Sequence, residues 1–255
     1  ALPIYAPVCR GLVAHPASEG IDSTTTGKPS ERGVVMVQVP AGHPERPQGA
    51  DGAKMLERMN GGRHEELALW GLSFLPVGEG DCLLDIGCGG GANIARLLER
   101  APRGKVVGVD YSPLSVEASH TYNADAIAAG RCEVYEGDSA ALPFGDATFD
   151  GITAFETVYY WDLPRAFAEV RRVLKPGGRF LVCNEDDGSD PSTLELAKLI
   201  VGMVVYGVPE LTAALEAAGL AVVRAERLEG TGQIAIVAKA PRTFSYYSFL
   251  SCNSL

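Results

Sequence analysis

Asp85-Ile86-Gly87-Cys88-Gly89-Gly90-Gly91 is the segment whose residue types and spacing could do chemistry. An apolar run precedes it and a helical pattern follows. Glycines at such a junction let the backbone turn sharply and approach a ligand closely. Nineteen residues after Gly91, Asp110 closes a second apolar run. A carboxylate there can accept hydrogen bonds from ribose hydroxyls. Turn and acid together favour a nucleoside-bearing ligand over a tight turn that binds nothing.

Two such ligands compete. A nicotinamide dinucleotide presents a pyrophosphate, which a helix N-terminus attracts. Asp85, two residues before the first glycine, would oppose that charge. S-adenosylmethionine (SAM) has no phosphate. It carries an amino group and a sulfonium cation, and both suit a carboxylate-bearing turn. The electrostatics select SAM over NAD.

These residues need strands and helices to hold them. Asp51 can cap a short helix that runs through Asn60 and breaks at Gly61-Gly62. A second helix, from about Arg63 to Phe74, places Leu67, Trp70 and Phe74 on one face. Strands and helices then alternate: strand Cys82–Ile86, helix Ala92–Glu99, strand Lys105–Asp110, and helix Pro113–Ala129 capped by Ser112. Strands Cys132–Glu136 and Phe149–Phe155 come next, then helix Leu163–Leu174, ended by Lys175-Pro176-Gly177-Gly178. Strand Arg179–Asn184 leads to an irregular insert with a helix near Thr193–Val201. Helix Pro209–Ala218 and strands Ala221–Leu228 and Gln233–Lys239 close the pattern. Such alternation predicts an α/β fold with a parallel sheet and right-handed crossovers. The short turn Glu229-Gly230-Thr231-Gly232 makes the last two strands antiparallel.

Five motifs stand in order: Leu84 to Gly91; Gly108-Val109-Asp110-Tyr111-Ser112-Pro113; Gly137-Asp138-Ser139-Ala140-Ala141-Leu142-Pro143-Phe144; Phe149-Asp150-Gly151-Ile152; and Arg171 to Gly178. On these motifs, residues 81–184 resemble the class I SAM-dependent methyltransferases, in particular the small-molecule branch labelled methyltransferase domain 11. The resemblance extends more weakly to residues 51–80 and 185–240. It implies a Rossmann-like, doubly wound sheet of seven strands, order 3-2-1-4-5-7-6, with strand 7 antiparallel and an N-terminal helical lid at 51–80. It implies SAM as cofactor and roles for single residues. Asp85 would orient the methionine amino group, directly or through water. Gly87, Gly89 and Gly91 would make room for the methionine and ribose. Asp110 would hold both ribose hydroxyls, Tyr111 would pack beside the adenine, and Asp138 would accept from the adenine amino group with Ser139 alongside.

The methyl acceptor should meet the segment after the fourth strand, since ligands of open α/β sheets sit beyond the carboxyl ends of the strands. There Tyr159, Tyr160 and Trp161 follow Glu156. Three successive aromatics could wall an apolar acceptor or cage a cation. A base is required only when the acceptor must lose a proton; Glu156, Tyr160 and His64 are the candidates, and none stands out. No metal site is expected.

Composition narrows the partners. The 255 residues carry a net charge of −10. Residues 1–50 hold four bases and four acids, so the acidity belongs to 51–255. An acidic domain repels polyanions, which disfavours a nucleic-acid partner. No apolar run is long enough for a membrane span. The six cysteines are scattered without a C-x-x-C pair, as in a reduced, cytoplasmic protein. The expected organisation is a disordered leader at 1–50, holding seven of the 16 prolines, a domain at 51–240, and an unstructured tail at 241–255. Both ends are candidates for non-native sequence.

Overall fold

The computed structural model describes residues 44–242. Most of the expected leader and nearly all of the tail lie outside the described residues. The strands are β1 (Cys82–Ile86), β2 (Lys105–Asp110), β3 (Cys132–Glu136), β4 (Phe149–Phe155), β5 (Leu174–Asn184), β6 (Ala221–Arg227) and β7 (Ile234–Lys239). They form one sheet in the order β3-β2-β1-β4-β5-β7-β6. β1 to β5 pair in parallel, and β7 runs antiparallel to both its neighbours. This is the expected order. The helices are α1 (Gly49–Met59), α2 (Arg63–Leu72), α3 (Ala92–Arg100), α4 (Pro113–Tyr122), α5 (Ala124–Ala128), α6 (Leu163–Val173), α7 (Pro191–Ala197) and α8 (Val208–Ala217).

Every residue of β1 is buried, as a central parallel strand requires when helices cover both faces. Successive side chains go to opposite faces. Leu84 and Val107 join Ile152, Phe167 and Val170 of α6 and Leu211 of α8 in one core. Leu83 and Val106 join Leu97 of α3 and Leu67 and Leu72 of α2 in the other. Cys88, Cys132 and Cys183 are free and buried within this packing.

Four local expectations are corrected. Asp51 lies in the first turn of α1, whose N-cap is Gln48. The single helix expected over 113–129 divides at Asn123, because the Asn123 amide donates to Gly91 O (3.0 Å) and Ser119 O (3.1 Å). The Lys175–Gly178 run does not merely end a helix. Leu174 already pairs with Phe149, and the strand passes through the glycines with a register shift on the β4 side. Trp70 and Phe74 are only partly buried, and Leu67, Ala68 and Leu72 are the buried face of α2. There Gly71 allows the helix to approach the sheet; a Cβ on it would lie 2.6 Å from Cys183 Sγ and 3.2 Å from Phe155 Cε1.

The two helices expected as a lid therefore differ. α1 borders the central cavity, whereas α2 packs chiefly on the sheet. The chain just before α1, expected within the leader, also packs on the domain. Ser112 Oγ donates to Pro47 O at 3.0 Å, and the Arg46 guanidinium sits 4.8 Å from the Tyr111 ring centroid. Among the described residues, no helix is long and apolar enough to cross a membrane.

Candidate active site

A cavity of about 420 Å³ opens beyond the carboxyl ends of β1, β2 and β4. Its floor is the β1–α3 turn. Gly87 N and Cys88 N donate to Val109 O at 2.7 and 3.1 Å, which ties the turn to β2. Gly87 adopts φ 73°, and a Cβ there would lie 2.6 Å from the Thr157 Cβ. Only glycine fits both demands. Gly89 faces open space: a Cβ on it would meet nothing closer than Leu56 Cδ2 at 3.8 Å. Gly91 caps α3 in the left-handed region, against Ser119 and Asn123.

Asp110 closes β2 and lines the cavity. Its Oδ2 accepts from Gly89 N at 2.9 Å and its Oδ1 from Ser112 N at 2.8 Å. Burial pushes its pKa up, against the pull of these backbone donors. Asp138 and Ser139 line the same side; Asp138 Oδ1 accepts from Ala140 N at 2.8 Å. Tyr111 is exposed at the rim beneath Arg46.

Asp85 stands apart from these residues. It is buried beneath the turn and lines neither the main cavity nor the small pocket beside it. Thr153 Oγ1 donates to its Oδ1 at 2.6 Å. Burial pushes its pKa up to about 7; the nearby Asp110 adds to this, while Thr153 and Arg96 oppose it. Any contact with a ligand in the cavity has to pass through the turn or a water.

The opposite wall comes from the end of β4. Glu156 is a non-glycine residue at φ 58°, a conformation that costs energy and clusters at functional sites. Its carboxylate accepts from the Tyr159 hydroxyl at 3.3 Å and from Glu185 N. Tyr160 and Trp161 line the cavity, and Trp161 Nε1 donates to Thr157 Oγ1 at 3.2 Å. Tyr159 does not line it. The 3₁₀ turn Val158–Tyr160 directs that ring inward, and it is buried. Its hydroxyl also lies 3.4 Å from Asp186 N. Burial and the charges of Glu45 and Glu156 push the Tyr160 hydroxyl up to about 12. At neutral pH it is therefore a donor and not a base.

His64 lies away from the main cavity, in a pocket of about 50 Å³ shared with Asn60, Arg96 and Glu156. One ligand atom each from His64, Glu156 and Glu185 falls within 4.8 Å of the others. That spacing would admit a cation, a juxtaposition the sequence did not indicate. Sequence reasoning also missed the closing segment Pro44, Glu45 and Pro47, the apolar Leu56 and Met59, and Thr157 and Arg165, all on the cavity wall. Thr157 had one available signal: it directly follows Glu156 at the end of a strand.

Residues 84–182 match the family model described as methyltransferase domain. A demethylmenaquinone methyltransferase of Symbiobacterium thermophilum is 40% identical over 106 residues, covering 40% of this chain and 41% of the relative. A 24-methylenesterol C-methyltransferase 2 of Arabidopsis thaliana is 34% identical, covering 46% of this chain and 32% of the relative. The chain thus spans less than half the length of these two curated relatives. Among solved structures, a chain from the complex between the Haloferax volcanii Trm112 methyltransferase activator and the putative methyltransferase superposes with TM-score 0.68. It has 25% identity and covers 75% of this chain and 95% of that one.

Proposed function

Because residues 84–182 belong to the class I SAM-dependent methyltransferases, we propose that the chain transfers a methyl group from SAM to a small-molecule acceptor and releases S-adenosylhomocysteine. One observation carries this reading. A single cavity joins a nucleoside-type wall, Asp110, Tyr111, Asp138 and Ser139, to a wall of Glu156, Thr157, Tyr160 and Trp161. Cofactor and acceptor can then meet without crossing bulk water.

Asp110 accepts from the ribose hydroxyls through the lone pairs that Gly89 and Ser112 leave open. Tyr111, Asp138 and Ser139 would border the adenine, and Gly87 and Gly89 would leave room for the ribose and methionine; Gly91, expected beside them, instead packs on Ser119 and Asn123. Asp85, buried beneath the turn, would reach the amino group only through the turn or a water. SAM, when bound, would supply an activated methyl to the acceptor's lone pair, with the carbon–sulfur electrons passing to sulfur to leave a thioether. Positioning and exclusion of water supply most of the rate. Where the acceptor must lose a proton, Glu156 is the better placed base: it lines the main cavity, whereas His64 lies in the side pocket.

The acceptor is small and partly apolar. The named relatives act on a demethylmenaquinone and a methylenesterol, and Tyr160 and Trp161 offer an apolar wall. The acidity of residues 51–255 disfavours nucleic acid. The catalytic unit is the domain at 51–240 together with the segment 44–50, and it acts in the cytoplasm. Methyl-labelled SAM incubated with metabolite pools and separately with tRNA, rRNA and DNA tests this. Label should enter the metabolite fraction; efficient, salt-sensitive labelling of nucleic acid alone contradicts the reading.

A further inference from the structure

The segment after β5 exposes apolar side chains where a soluble surface normally avoids them. Leu194, Leu196, Leu199, Val201 and Val204 are five of the ten large hydrophobics exposed among the described residues, and Val201 is 76% exposed. Clustered exposure of this kind marks a binding surface. The segment is held in place from beneath: Val204 N donates to Tyr159 O at 2.8 Å, Thr193 Oγ1 donates to Asp186 Oδ2 at 2.8 Å, and Ile200 is buried.

The segment carries a shallow depression. A groove of about 410 Å³ runs between α7 and residues 203–205, lined by Pro191, Leu194, Ala197, Met203, Val204 and Val205 beside one acid and one base. That pair, Glu195 and Lys198, is neutralised in a 2.5 Å ion pair. Along the chain, the groove follows directly on the active-site wall. Val201 and Gly202 line the cavity, and the next two residues, Met203 and Val204, line the groove. The cavity, about 420 Å³, is at the small end for ligand sites. With the cofactor inside, it leaves room for the head of an acceptor only.

We propose that the acceptor is an amphiphile whose reacting head enters the cavity while its neutral hydrocarbon tail leaves past Val201 and lies in the groove between α7 and residues 203–205. This rests on the methyltransferase reading above. A tail fits better than an anionic bilayer surface, which would call for unpaired basic residues at the rim. It also fits better than a separate partner face, because the groove begins where the cavity wall ends along the chain.

Neutral n-alkyl β-glucosides with hexyl, octyl and decyl chains, kept below their micelle concentrations, are suitable probes because they contain the tail without the head. Calorimetry is run on the 255-residue protein with and without S-adenosylhomocysteine. Affinity should rise about threefold or more per added methylene as the chain is buried. In Leu194→Ser/Val204→Ser this dependence should flatten, while the melting temperature and S-adenosylhomocysteine affinity stay within error. Single variants at either position should show half-way behaviour, which guards against misfolding of the double variant. Affinity independent of chain length, or a dependence that survives in the variants, overturns the proposal. So does binding to phosphatidylcholine vesicles without binding to the monomeric glucosides, or a dimer in sedimentation that the variants dissolve. Loss of S-adenosylhomocysteine binding in the wild type would instead fail the cofactor reading, leaving the chain-length series to be read on the unliganded protein.

Discussion

Gly89 N donates to Asp110 Oδ2 at 2.9 Å, so the carboxylate at the end of β2 also braces the glycine turn after β1. One side chain thereby sets both the ligand-binding acid and the floor on which the ligand rests. Asp110→Ala should weaken S-adenosylhomocysteine binding by about 1–3 kcal/mol, since charge-assisted hydrogen bonds are lost. It should also lower the melting temperature, because Gly89 N and Ser112 N both lose their acceptor. Calorimetry and thermal unfolding of the same variant check the two effects. Unchanged affinity would remove Asp110 from the site.

Gly87→Ala should disable the turn. The left-handed φ costs a non-glycine residue about 1–2 kcal/mol, and the new Cβ would fall 2.6 Å from the Thr157 Cβ. Cofactor affinity should fall by at least tenfold. Pairing Gly87→Ala with Thr157→Gly should recover part of the loss by removing the collision and leaving the backbone strain. A double variant no better than the single one would show that Thr157 does not set the fit.

How far the sequence reaches is visible in these two residues. Gly87 and Asp110 are legible because a sharp turn and a strand-end acid leave local marks. The order of the seven strands followed from resemblance, and the parallel pairing from alternation. Three aromatics in a row do not reveal that Tyr159 is the one the 3₁₀ turn buries. The break at Asn123 was invisible because its cause is a tertiary bond to Gly91 O. The closing segment at Pro44–Pro47 has no periodicity, and its place over the site depends on contacts with Ser112 and Tyr111.

Asp85 makes stability depend on pH. Its carboxyl is raised from 3.8 to about 7 by burial, so between those values the folded state holds a proton that the unfolded chain releases. This contribution is complete below about pH 4 and is lost as pH rises through about 7. The steepest slope from one such group is about 1.4 kcal/mol per pH unit. Urea unfolding at pH 5, 6, 7 and 8 should show stability falling toward pH 7 in the wild type and a flatter profile in Asp85→Asn. Parallel profiles would mean that Asp85 titrates normally.

Tyr160→Ala/Trp161→Ala should separate the two halves of the cavity. Both rings line it on the Glu156 side, away from Asp110 and Asp138. Acceptor turnover should fall by tenfold or more, with S-adenosylhomocysteine affinity changed less than twofold. Steady-state methyl transfer and calorimetry on one preparation decide it. Equal loss of both would place the aromatics against the cofactor.

The cavity floored by the β1–α3 turn and walled by Asp110 is proposed to take a sulfonium nucleoside and not a dinucleotide. Isothermal titration of the 255-residue protein with S-adenosylhomocysteine, NAD and NADP tests this directly. S-adenosylhomocysteine should bind saturably and one-to-one, with a matching rise in melting temperature, and neither dinucleotide should give heat. Saturable binding of NAD or NADP, with none for S-adenosylhomocysteine, would contradict it.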